Sequence, residues 1–190
     1  MNQTPSSPLK TLAAIMLLAV ASLVLLSGCV RQAGLALFST RAPDVERAAA
    51  AIADFSLPPG YTADFSASLF GYTLAAFNPG DDRSHIYLFQ MQDALGQADL
   101  ERGLERTLDW MLPGSRDRDA RTIVIENRSL TIRSQVVTVV ISESTNSQNR
   151  VYRQLMAAFE GKGGPALLVL SEPPARWDEA VIQDFLDSIQ

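Results

Sequence analysis

The chain has one cysteine and one histidine in 190 residues, so it is poor in the two side chains that most often carry metal and nucleophilic chemistry. A single cysteine permits no internal disulfide and no cysteine-rich zinc site, so packing alone is expected to hold the fold. His85, the only histidine, must supply any histidine base. It stands in Arg83-Ser84-His85-Ile86-Tyr87, where strand alternation gives it an ordinary polar-face role. No serine stands in Gly-x-Ser-x-Gly, so a nucleophile-elbow hydrolase lacks its motif. Asp81 and Asp82 follow Asn78-Pro79-Gly80, where turn chemistry accounts for them, and their spacing matches no calcium loop. Gly161-Lys162-Gly163-Gly164 lacks the phosphate-loop spacing and joins two strands, so it reads as a hairpin turn. Positive charge is also in deficit, with 16 basic against 21 acidic side chains. Every short arginine cluster is interleaved with acids, which excludes the continuous basic face that a nucleic-acid partner requires. No catalytic residue, metal or cofactor is expected.

The N-terminus is where the composition becomes specific. Lys10 precedes an apolar stretch from Leu12 to Leu26, broken only by Ser22, and the small residues Ser27 and Gly28 lead to Cys29. This order of charge, apolar run and small residues is that of an export signal. Leu26-Ser27-Gly28-Cys29 resembles the lipobox of bacterial lipoproteins, whose cysteine receives diacylglycerol before signal peptidase II cuts ahead of it. The resemblance implies a signal peptide over 1–28, a lipid on Cys29 and a place in the bacterial cell envelope. Each buried methylene adds about 0.8 kcal/mol, so two or more acyl chains anchor stably where one does not. Val30 rather than Asp after the cysteine points, by the same resemblance, to the outer membrane in a two-membrane cell, and to the outer face of the plasma membrane otherwise. Two alternatives remain open: an uncleaved transmembrane helix over Thr11 to Val30, and ordinary secretion. With Lys10 favouring a cytosolic N-terminus, both the anchored and the transmembrane readings put the rest of the chain outside the cytoplasm. Without residues 1–28 the chain has 15 basic and 21 acidic side chains, a net charge of −6.

Residues 29–42 read as a short linker and 43–190 as a single domain. Pro43 opens a helix with Val45, Ala49 and Ile52 on one face, ended before Pro58-Pro59-Gly60. From Tyr61 the period changes to two: Tyr61, Ala63, Phe65, Ala67 and Leu69 alternate with polar residues, which predicts a strand with one dry and one wet face. Tyr72 to Phe77 and His85 to Met91 complete a three-strand meander. Leu100, Leu104, Leu108 and Leu112 then line one side of a middle helix stopped by Pro113-Gly114. Four strands follow, at Arg121 to Glu126, Leu130 to Ser142, Val151 to Glu160 and Ala166 to Leu170. The break between the first two falls at Asn127-Arg128-Ser129, whose fit to a glycosylation sequon is accidental in a bacterial chain. The runs 136–141 and 166–170 are apolar on both faces, as in strands placed centrally in a sheet. A last helix carries Val181, Ile182, Phe185, Leu186 and Ile189. The predicted class is α+β, a mostly antiparallel sheet of about six to seven strands with helices packed on its faces and an apolar signal helix ahead of it.

Phe55-Ser56-Leu57-Pro58-Pro59-Gly60-Tyr61 leading into a meander, the middle helix, the long strands and the ending Phe185-Leu186-Asp187-Ser188-Ile189 together resemble the family of the photosystem lumen protein PsbP and the nuclear import factor Mog1. The resemblance spans about residues 45–190. It implies a domain that binds proteins and assists assembly, with no family binding residue that carries over. Trp110 lies about 160 to 200 degrees from Leu108 around the helix, away from the leucine line. Beside the loop bearing Arg116, Arg118 and Arg121 it makes a candidate surface for a protein partner in the envelope. Trp177 reads as a staple ahead of the last helix. The favoured expectation is a lipid-anchored, non-catalytic binding or assembly module. A small extracytoplasmic hydrolase built around His85, and a membrane-tethered sensor or structural domain, are the alternatives.

Overall fold

A computed structural model describes residues 38–69, 71–81, 83–91 and 121–190. These residues belong to one compact unit, Phe38–Gln190. The signal segment, Cys29, and the expected middle helix with Trp110, Arg116 and Arg118 lie outside them.

The described chain forms β1 (Phe38–Ser39), α1 (Ala42–Ile52), β2 (Thr62–Leu69), β3 (Tyr72–Asn78), β4 (His85–Met91), β5 (Arg121–Ile132), β6 (Gln135–Thr145), β7 (Val151–Gly161), β8 (Gly164–Glu172) and α2 (Glu179–Asp187). All strands join one antiparallel sheet of eight, in the order β1-β2-β3-β4-β8-β7-β6-β5. Two blocks of sequential neighbours, β1 to β4 and β5 to β8, therefore meet where β4 pairs with β8, Leu88 opposite Leu168. The sheet is larger than the six to seven strands expected. The added strand is β1, whose Phe38 and Ser39 pair with Ala67 and Ser66 inside the stretch read as linker.

The helices form where the pattern requires. Pro43 stands in the first turn of α1, where its fixed φ suits the helix and its missing N–H removes no bond. Val45, Ala49 and Ile52 face inward, as their spacing predicts. Asp178 caps α2, its Oδ1 accepting from the amides of Ala180 at 2.9 Å and Val181 at 3.2 Å. Ile182, Phe185, Leu186 and Ile189 enter the same core, and Phe55 meets Phe77 and Phe185 edge-on. Both described helices thus cover one face of the sheet. The opposite face carries a second apolar cluster of Leu74, Ala76, Tyr87, Phe89, Leu167 and Val169.

Three details depart from the sequence pattern. The pairing of β2 with β3 shifts between Ala63 and Phe65. This bulge turns Tyr61 and Ala63 toward the helix-side core and Phe65 and Ala67 toward the other cluster, so the alternation does not define one dry face. The strand break expected at Asn127-Arg128-Ser129 does not occur, because β5 runs through it and turns at Arg133-Ser134. Those two residues have φ of 50° and 62°, the left-handed pair a two-residue hairpin demands, supplied here without glycine or asparagine. Finally, residues 166–170 are buried throughout, whereas Val136 at the start of the other apolar run is 79% exposed. The turn at Lys162-Gly163 is the expected hairpin. A Cβ on Gly161 would lie 2.7 Å from Gln90 Nε2, so any other residue there would displace the end of that side chain.

Candidate functional site

Two places in the described structure gather groups suited to recognition. One is the outer strand β5, the last in the sheet order, paired among the described residues only with β6. Arg121 of the expected partner surface opens this strand and is exposed. Ile123 and Val124 beyond it are 62% and 60% exposed, and Ile125 is also in solvent. Pairing steps from Val124 to Glu126, so Ile125 is an extra residue in a bulge. At its far end β5 is tied down, with both terminal nitrogens of Arg128 donating to Glu179 Oε2 at 3.2 Å. The part of the strand that follows Arg121 is therefore the bare part. Sequence reasoning found Arg121 and missed the apolar triplet, because Ile-Val-Ile in a strand reads as core until the sheet order shows it at an edge.

The other place is a cleft of about 200 Å³ lined by Pro58, Pro59, Tyr61, Glu172, Arg176 and Val181, among others. Its polar groups come from distant parts of the chain. The turn Pro58-Pro59-Gly60, with Gly60 at φ 87°, brings Tyr61 in front of the last residue of β8. The Tyr61 hydroxyl donates to Glu172 Oε1 at 2.7 Å. Asp81 folds its own turn, Oδ1 accepting from the amides of Arg83 at 2.9 Å and Ser84 at 2.8 Å, as turn chemistry predicts. Its other oxygen pairs with Arg176, which also donates to Ser84 Oγ at 3.3 Å. Glu172 is only 9% exposed, and among the described residues no cation forms an ion pair with it. Burial pushes its carboxyl above the ordinary range, outweighing the Tyr61 hydrogen bond and the nearby Arg176. The Tyr61 hydroxyl is likewise held up by burial and by the hydrogen bond to Glu172.

His85 begins β4 opposite Ser171 of β8 and stacks on Tyr87, ring centroids 5.4 Å apart. It shares its side of the sheet with Tyr87 and Phe89, so this face is apolar rather than wet. Ser171 Oγ is buried and makes no hydrogen bond, so no nucleophile and base pair is assembled there. Among the described residues no group of three or more His, Cys, Asp or Glu side chains is placed to hold a metal. Trp177 is half-buried against the helix-side core, its indole N–H donating to Glu179 Oε1 at 2.6 Å and its ring under the Arg153 guanidinium at 5.4 Å.

No family model and no curated protein sequence matches this chain. Among solved structures it is similar to the solution structure of cyanobacterial PsbP (CyanoP) from Synechocystis sp. PCC 6803, at 13% identity over 74% of this chain and 92% of that one, with a TM-score of 0.40.

Proposed function

We propose that this chain is a lipid-anchored protein of the bacterial cell envelope whose domain binds a protein partner along the free edge of β5, without turning over a substrate. The observation that supports the reading is the exposure of Ile123, Val124 and Ile125 on the outer strand of the sheet. Such an edge offers a ladder of unpaired amides and carbonyls beside apolar side chains, the combination that an added strand uses for affinity and specificity. Arg121 at its start continues into the Arg116 and Arg118 loop, and Trp110 belongs to the same proposed surface. Leu26-Ser27-Gly28-Cys29 supports the anchor, with 1–28 removed, 29–42 in part a tether and the remainder outside the cytoplasm. A net charge of −6 without the signal makes a protein rather than a nucleic acid the partner.

The reading is tested by placing a photoreactive residue at Ile123 and, as a control, at Arg47 on α1, in whole cells. A discrete crosslinked protein from Ile123 alone is expected, and its loss in Ile123→Lys. Equal products from both positions, or none from Ile123, overturn the binding surface. Mass spectrometry of the mature N-terminus tests the anchor separately. A diacylglycerol on Cys29, absent with Cys29→Ala, is expected, and an unmodified cysteine in an uncut chain overturns it.

A further inference from the structure

The cleft between the Pro58-Pro59 turn and α2 contains a buried carboxylate, Glu172, with which no described cation forms an ion pair. Each of the other charged groups around it is engaged. Asp81 is held by two backbone amides and Arg176, and Asp178 by two amides of α2. The α2 amides being occupied, no anion subsite remains at that helix start. Glu172 differs: its Oε1 accepts from Tyr61, and among the described residues no cation lies within ion-pair distance of its carboxylate. Burying a carboxylate without a counter-charge is costly, and the raised proton affinity of Glu172 is the sign of that cost. Around it the walls are apolar and stiff, formed by Pro58, Pro59, Pro79, Leu170, Val181 and Ile182. Three prolines keep such a cleft formed when empty, and about 200 Å³ suits one extended side chain rather than a larger molecule.

We propose that this cleft binds a primary alkylammonium group, its head on Glu172 and its methylene stem along Pro58, Pro59 and Val181. An ammonium supplies the missing counter-charge, and the stem covers apolar wall that would otherwise face water. A neutral ligand of the same length satisfies only the second requirement. Arg176 meets the first only in part, because its charge favours the Glu172 carboxylate from a distance while its guanidinium is directed to Asp81 and Ser84. The chemistry is shared by a lysine side chain of a partner and by a free diamine. This site is separate from β5, and either assignment stands if the other fails.

Titration calorimetry on the full-length protein with 1,5-diaminopentane, Nα-acetyl-lysine amide and 1-pentanol tests it. Saturable binding of at least one amine is expected, with pentanol weaker by at least about tenfold, roughly 1.4 kcal/mol. Preference for the lysine amide marks a partner side chain as the source, and preference for the diamine a free amine. Glu172→Gln, which keeps an acceptor for the Tyr61 hydroxyl, should weaken amine binding by at least about tenfold. Tyr61→Phe, which leaves the carboxylate in place, should bind amine within about threefold of the wild type. Equal binding of pentanol and amine by the wild type, amine binding unchanged by Glu172→Gln, or no amine binding at all overturns the proposal. The pentanol comparison needs no variant, so a misfolded Glu172→Gln does not rescue the idea.

Discussion

At one margin of the sheet, the described part of β1 is two residues long and gives way at once to α1, with Ser39 donating to Asp44 in the first turn at 2.8 Å. At the other, β5 runs for 12 residues and leaves an apolar triplet in solvent. Both margins expose a large apolar side chain, Phe38 and Ile123 each being 62% exposed, but Phe38 at the first stacks on Phe65 with centroids 5.5 Å apart. Short edge strands and helices that follow closely are the usual protection against unwanted pairing. The first margin uses both devices and the second uses neither along its opening residues. The difference teaches that one margin is closed by its own packing and the other is left open, and substitutions are expected to separate stability from the proposed partner binding.

The largest effect belongs to neither margin. Phe185 is 2% exposed beneath α2 and meets Phe55 edge-on, so Phe185→Ala should lower stability by about 3 to 5 kcal/mol in denaturant titration. A loss below about 1 kcal/mol would mean that the helix-side core does not hold the two blocks together. At the protected margin, Phe38→Ala should cost about 0.5 to 1.5 kcal/mol, because a stacked pair is lost with the buried area. At the bare margin, Ile123→Lys should change stability by no more than about 0.5 kcal/mol while removing the crosslink. Equal costs at Phe38 and Ile123 would erase the contrast. The cleft adds a test whose sign is set by pH. Because burial holds the Glu172 carboxyl above its unfolded value, the folded chain binds that proton more tightly, and stability falls as pH rises between the two values. Glu172→Gln should therefore raise the melting temperature at about pH 8 and leave it nearly unchanged at about pH 3. The opposite order would show that the carboxylate is compensated after all.

Local signals made part of this legible. β4 spans His85–Met91 as the sequence predicts, since Asn78-Pro79-Gly80 marks its turn and an apolar run follows. The inward faces of both described helices follow from 3.6-residue spacing, with Val45, Ala49 and Ile52 on one and Ile182, Phe185 and Leu186 on the other. The β5-to-β6 turn was hidden because Arg133 and Ser134 adopt positive φ with no residue that advertises it, while Asn127 and Ser129 advertise a turn that pairing overrides. β1 was hidden because two residues give no period. Nor does any local pattern reveal the cleft: Tyr61 and Glu172 are 111 positions apart, and only the sheet order brings them together. The same holds for the exposure of Ile123, which depends on what lies beside β5 and not on β5 itself.

The extra residue at Ile125 limits what the bare margin can become. It divides the free ladder into Arg121–Val124 and Glu126–Ile132, with a bend between them. An incoming chain following one half is directed away from the other, so contact by copies of this same protein cannot extend the sheet in register from molecule to molecule. Concentrating the protein should then yield short-lived pairs instead of fibres. A bulge in one strand thus lets an edge stay open to the proposed partner while working against polymerisation.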